Sequence, residues 1–359
     1  MLSNAAVNPV EDRSQLGPLS DAVAMSTLAR RLPKADLHVH FLGSIRPSFP
    51  FATGEPHRIA ADYVDASGFF SGLRQVATSL VTADMFEAAA LRTLANSVDC
   101  GCRHVEMFTT PGELAHSPVP LRDALAAMGR AFDQMNRDTG LTGGLILETD
   151  RCDDPKAALE MVGAAVKARD AGVPILGIGN DGDVMHPLMR FAPAFELAKK
   201  EGFRTTCHLC TQQDVLDGLE LPLDRCDHAY ALKGRPDLIE RYKKAGLSIT
   251  SCVTACCYMA PGLFPSPVDH PTDELRRAGI PICLGTDDPA FFQTDLAQEY
   301  LLAQQSYGWT RQEMLDMAMT SLEMSWIDGQ DRESRLAAWR DEGARTLADP
   351  RTSRGPLQR

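Results

Sequence analysis

The chain has 359 residues, 44% hydrophobic and 23% charged, which is enough to bury a large core without disulfides or structural metals. Its 36 Lys plus Arg against 48 Asp plus Glu leave a net charge of −12, which disfavours nucleic-acid backbones and anionic membranes as partners and suits a small neutral or cationic substrate. No apolar run approaches the ~18 residues that a bilayer span needs, and the ten scattered cysteines, with no secretory leader pattern before them, read as reduced thiols of a cytoplasmic protein.

Residues 1–20 are polar and aperiodic and are expected to be flexible, as are 350–359, rich in Pro, Arg and Ser. Between them, 21–349 reads as one catalytic domain in which short apolar runs alternate with longer amphipathic stretches. The runs are 34–40, 103–109, 143–149, 173–179, 203–208, 225–229, 247–252 and 281–286. Helices are expected at about 82–99, 120–138, 154–171, 188–201, 235–246 and 271–279, with more from 293 to 346. Pro47 to Gly68 reads as a loop near the mouth of the fold. Eight strands alternating with helices predict an α/β fold of the (β/α)8 TIM-barrel type, the metal-dependent hydrolase kind.

Functional groups in such a barrel sit where strands end. The first run closes on His38-Val39-His40, and because strand side chains alternate, both imidazoles face one way while Leu37 and Val39 face the other. The fifth run ends in His208, the sixth reaches His228, and the eighth runs into Asp287-Asp288-Pro289. Histidines and a carboxylate converging on one face form a ligand set for a first-row divalent cation, Zn²⁺ foremost, with a position left for water. Cys207 and Cys210 form a C-x-x-C, but no second pair completes the four ligands of a structural zinc site. His104, His116, His186 and His270 have no comparable context.

The stretch Leu32-Pro33-Lys34-Ala35-Asp36-Leu37-His38-Val39-His40, followed by Gly43-Ser44-Ile45-Arg46-Pro47, resembles the opening motif of the adenosine deaminase family of the amidohydrolase superfamily. Gly285-Thr286-Asp287-Asp288-Pro289 resembles its closing motif, with Gly177 to Asp183 and Phe191-Ala192-Pro193 similar in order and spacing between them. The resemblance implies one Zn²⁺ per chain held by His38, His40, His208 and Asp287, with His228 and Asp287 assisting proton removal from the attacking water. It further implies that Asp288 hydrogen-bonds a substrate ring nitrogen and that the Gly182 amide approaches the substrate closely.

Three departures from the family bear on the substrate. The family's His-Ala-Gly-Glu motif, whose glutamate protonates the purine ring, reads His208-Leu209-Cys210-Thr211 here, and a hydroxyl titrates far outside the useful range. An acid that contacts the sugar in nucleoside deaminases is replaced by Leu42, and Cys226-Asp227 stands where a glycine commonly precedes His228. Strand alternation predicts that Asp227 faces outward. Glu148, Asp150, Asp181 and Cys210 are candidates to supply the lost proton, Glu148 first among them, whereas Glu106 is expected to have a structural partner inside the barrel. Met107, Phe108, Tyr258, Met259, Phe264, Phe291 and Phe292 either line a pocket or simply pack.

The expected function is therefore a zinc-dependent aminohydrolase attacking a C–N bond of a small purine-like heterocycle or amidine, adenosine excluded. Two alternatives stand: a zinc-dependent amide, cyclic imide or lactone hydrolase, and a non-catalytic ligand-binding relative. The expected partner is a small-molecule substrate contacted by Asp288, Gly182, Thr211, Leu42 and Cys210, and self-association is left open.

Overall fold

A computed structural model describes residues 21–46, 49, 66–327, 329 and 332–352. The segment 1–20, nearly all of the expected loop 47–68 and the end of the chain from 353 lie outside the described residues. Pro350–Thr352, expected to begin a flexible tail, form a 3-10 turn in which Thr352 is buried and donates to the Thr346 carbonyl at 2.7 Å.

Every strand pairing is parallel, as alternating β and α elements require. One sheet takes β1 (Lys34–His40), β2 (Cys102–Thr109), β3 (Thr142–Asp150), β4 (Ile175–Asp181) and β5 (Arg204–Thr205) in order. The second takes β6 (His208–Leu209), β7 (Cys226–His228), β8 (Ile249–Ser251) and β9 (Ile282–Leu284). The single run expected at 203–208 is thus two short pieces divided between the sheets. Backbone bonds span the gap: Thr206 donates to the Ile178 carbonyl at 3.1 Å and Asp227 to the Cys207 carbonyl at 2.9 Å. At the other seam Val39 and Asp287 form a parallel bridge, with the His40 amide on the Asp287 carbonyl at 2.7 Å and the Asp287 amide on the His38 carbonyl at 2.8 Å.

Helices lie between the strands. They are α1 (Asp21–Arg31), α2 (Ala66–Ser79), α3 (Ala83–Asp99), α4 (Pro111–Leu114), α5 (Leu121–Thr139), α6 (Pro155–Asp170) and α7 (Ala192–Lys200). They continue with α8 (Gln212–Asp217), α9 (Pro236–Ala245), α10 (Val253–Met259), α11 (Thr272–Arg277), α12 (Leu296–Tyr307), α13 (Arg311–Met324) and α14 (Arg332–Ala348). Side-chain caps set their starts: Thr82 accepts from the Met85 amide at 3.3 Å, Asp154 from Lys156 at 2.9 Å, and Thr310 and Glu313 form a reciprocal box.

Val39, Val105, Met107, Leu145, Leu147 and Ile178 of the first sheet pack outward with Phe86 and Leu94 of α3 and Leu125 and Phe132 of α5. The inward face combines buried polar groups with the apolar cluster of Phe108, Ile146 and Trp326. Its floor is an ion pair, Arg225 Nη1 to Glu106 Oε2 at 2.6 Å, and Glu106 also meets His104 Nε2 at 3.0 Å and accepts from the Trp326 amide, so Glu106 has the interior partner expected of it. Outside the floor, the buried Lys34 ammonium donates to the carbonyls of Ala29 at 2.7 Å, Leu32 at 3.0 Å and Cys100, joining α1 and the end of α3 to β1.

Candidate metal centre

The C-terminal ends of β1, β6 and β7 bring His38, His40, His208 and His228 together, and the turn after β9 adds Asp287. The Nε2 atoms face one another. His40 Nε2 lies 3.2 Å from His208 Nε2 and 3.5 Å from Asp287 Oδ1, and His38 Nε2 lies 3.9 Å from the same oxygen. His228 Nε2 stands 3.8 Å from Asp287 Oδ2. Burial favours the neutral carboxyl, but the imidazoles of His38, His228 and His40 outweigh it and hold Asp287 well below the usual carboxylate range. Burial and the neighbouring His38 push His228 down to about 3, so its ring is neutral.

Each imidazole is backed on its Nδ1 side. His38 Nδ1 meets Asp227 Oδ1 at 3.1 Å; His40 Nδ1 meets Glu148 Oε2 at 3.4 Å; His208 Nδ1 donates to the Asn180 carbonyl at 3.0 Å and lies 3.3 Å from Glu148 Oε1. His228 Nδ1 lies 3.9 Å from the Cys256 thiol. Nδ1 occupied by acceptors and Nε2 left to converge is the tautomer pattern of metal-ligating histidine. The donor set fits a cation on two further counts. His38 Nε2 is buried with no hydrogen-bond partner, and tetrahedral zinc with Zn–N bonds of about 2.0–2.1 Å needs ligand atoms roughly 3.3 Å apart, close to the 3.2 Å and 3.5 Å seen.

Asp227 corrects the expectation that it faces outward. It is fully buried inside the barrel, accepts from Thr206 and Thr250, and lies 3.9 Å from Arg225 Nε. The reason is backbone geometry: His228 has φ +62 and Ala229 φ +44, so alternation fails at the strand end and Asp227 and His228 both reach inward. Asp287, at φ +61, does the same for the pair Asp287 and Asp288. Asp288 is buried with Oδ1 unpartnered, and a Cβ at Gly43 would fall 1.7 Å from that oxygen, so only glycine lets the carboxyl sit there.

The other residues expected at the substrate lie as follows. The Gly182 amide is engaged by the Asp181 carboxylate, and a Cβ at this φ +104 residue would strike Asp150 Oδ1 at 2.2 Å, so only glycine fits between the two loops. Thr211 caps α8, its hydroxyl accepting from the Asp214 amide at 3.1 Å, while Asp214 Oδ2 accepts from the Cys210 and Thr211 amides at 3.1 Å and 2.9 Å. Arg151, fully buried, links that cap to the metal centre by donating to Asp214 Oδ1 at 2.8 Å and to the His208 carbonyl. Leu42 is buried in the main core. Cys210 is pushed up to about 12, chiefly by burial, and stays a thiol.

Of the aromatic candidates, Phe108 walls the centre, its ring 4.6 Å from His38 and stacked on His40 at 5.2 Å. Phe291 and Phe292 are buried in the core, whereas Tyr258 and Met259 are exposed at the rim. Sequence reasoning passed over Glu113, on the single turn α4 that follows β2. It is half-buried, and burial with the nearby Asp181 and Asp150 carboxylates pushes its carboxyl up to about 8.

Parallel strands with histidines and a carboxylate at their C-terminal ends, taken with the relatives that follow, make the chain a barrel hydrolase of the amidohydrolase type, acting on carbon–nitrogen bonds. The family described as Adenosine deaminase matches residues 33–338, and the chain belongs to that family. Adenine deaminase of Ralstonia nicotianae is 28% identical over 345 residues, covering 89% of this chain and 97% of that protein. Adenine deaminase of Schizosaccharomyces pombe is 27% identical over 333 residues, covering 86% and 90%. The crystal structure of adenine deaminase from Arthrobacter aurescens superposes with a TM-score of 0.78 at 22% identity, covering 89% of this chain and 100% of that one. An amidohydrolase from Burkhoderia ambifaria with bound Zn gives a TM-score of 0.76 at 25% identity, covering 94% and 97%. No helix among the described residues is long and apolar enough to cross a membrane.

Proposed function

We propose that this chain is a zinc-dependent aminohydrolase that removes an exocyclic amino group from a purine-like base lacking ribose. The observation that carries the reading is the meeting of Nε2 atoms from β1, β6 and β7 with the Asp287 carboxylate around the unpartnered, buried Nε2 of His38. Zn²⁺ held by His38, His40, His208 and Asp287 would supply Lewis acidity, lowering the pKa of a water toward neutrality. His228, whose Nε2 stands 3.8 Å from Asp287 Oδ2, takes the proton released as oxygen attacks the ring carbon. Asp288, buried and held protonated by burial and by its neighbour Asp287, presents Oδ1 to a ring nitrogen. Glu113, on the turn after β2, is the group assigned as proton source, because a carboxyl pushed up to about 8 carries its proton at neutral pH, which the hydroxyl of Thr211 cannot match. Phe108 closes the wall behind His38 and His40 against water. The adenine deaminase relatives and the core position of Leu42 support a free base rather than a nucleoside.

The cap-bound Thr211 also favours a second chemistry, hydrolysis of a cyclic imide or lactone, which needs no ring protonation. Ammonia release measured across adenine, adenosine, aminopterins and amidines separates the two. Release from a free aminopurine and not from adenosine is the expected result. Silence across every amine, with turnover of imides or lactones, would replace the reading with the second.

A further inference from the structure

Glu148 lies at the end of β3, directly across from Gly179 of β4 in the parallel register. Its side chain is fully excluded from solvent, and neither carboxylate oxygen makes a hydrogen bond of good geometry. What it touches is the rear of two imidazoles, with Oε2 3.4 Å from His40 Nδ1 and Oε1 3.3 Å from His208 Nδ1. The His208 Nδ1 proton already goes to the Asn180 carbonyl at 3.0 Å. His40 Nδ1 has no other partner among the described residues, so the Glu148 carboxylate is the acceptor available to it.

Gly179 explains how a carboxylate reaches this position. A Cβ there would stand 3.0 Å from Glu148 Cγ and 3.1 Å from Oε1, tighter than ordinary contact, with the Ile146 side chain at 3.4 Å on the far side. A side chain at 179 would press the Glu148 carboxyl by a few tenths of an ångström from its place behind the imidazoles. The two residues form a matched pair: one strand gives up its side chain so that its neighbour's can stand behind the ligands.

We propose that Glu148 is a positioning residue, fixing the ring orientation and tautomer of His40 and backing the ring of His208, with Gly179 as the space that makes this possible. The assignment rests on the cation site proposed above. It departs from the expectation that Glu148 donates the missing proton, because a carboxyl sealed behind two ligand rings has no face open to substrate. His40 also needs such a partner more than its neighbours do, since Asp227 serves His38 and the Asn180 carbonyl serves His208. A carboxylate behind a ligating imidazole orients the ring and raises its basicity, and losing one weakens metal binding by about 10–100-fold.

The test is zinc affinity of the full chain, measured by competition of apoprotein with a chromophoric chelator, for wild type, Glu148→Gln and Gly179→Ala. Both variants are expected to bind zinc 10–100-fold more weakly with an unchanged far-UV spectrum, and Co²⁺-loaded Glu148→Gln is expected to show altered visible bands. Unchanged affinity in Glu148→Gln overturns the proposal, and a fall in turnover alone would return Glu148 to the proton-donor role. If the variants do not fold, proton NMR of the zinc-loaded wild type decides. A downfield, slowly exchanging Nδ1 proton on His40 supports the assignment, and its absence overturns it. Wild type that takes up no zinc at all fails the underlying site instead, a result distinct from every one of these.

Discussion

Glu113 carries the sharpest prediction at the scale of a single residue. Its carboxyl is pushed up to about 8 by burial and by Asp181 and Asp150, while Thr211, expected at the family's acid position, caps α8. Glu113→Gln is expected to lower kcat by about 10²–10⁴ without changing metal content, the usual worth of a placed general acid. Turnover within a few-fold of wild type, measured at saturating substrate, would remove Glu113 from the reaction. The convergence of His38 and His40 was legible in the sequence because a period of two places both on one face of β1. Asp227 was not, since the left-handed backbone at His228 breaks that period and nothing in Cys226-Asp227-His228 announces it. Glu113 was missed for another reason: four residues of α4 carry no periodicity, and a raised carboxyl is a property of its surroundings.

Among the elements, α10 and α12 are joined by one buried carboxylate. Glu299 of α12 accepts from the Thr254 amide at 3.3 Å and from Thr294 Oγ1 at 2.6 Å, and burial pushes its carboxyl up from 4.5 to about 7. Between those values the folded chain keeps a proton that the unfolded chain has released. This group's stabilising contribution is therefore complete below pH 4.5 and is lost as pH rises through about 7. The shift corresponds to about 3 kcal/mol at most. Glu299→Gln is expected to flatten the decline in thermal midpoint between pH 5 and 8, and an identical decline in the variant would show that Glu299 ionises freely. The helices α1 and α2 were not among those expected, whereas α3 and α6 were legible from their caps, with Thr82 and Asp154 where helix starts were expected. The short α8 and α10 were not, because six or seven residues span less than two turns and give a periodic signal too weak to read.

Across the whole molecule, the eightfold alternation of strand and helix was readable, but the division at the fifth strand was not. Thr206 and Cys207 remain bonded to both neighbours through backbone groups, so the interruption falls between His208 and the rest of its run without displacing the imidazole. Three seams of the sequence thereby meet at one point: the end of β1, the resumed β6 with β7, and the turn after β9. Arg151 and Asp227 hold two of them from behind, through the His208 carbonyl and His38 Nδ1. The function depends on that meeting point holding a divalent cation. Elemental analysis of the purified full chain, with His208→Ala alongside, tests this most directly. The account predicts one equivalent of zinc per wild-type chain and a substoichiometric amount in the variant. Wild-type protein that takes up no divalent metal when zinc is supplied, or a variant that binds as much as wild type, would contradict it.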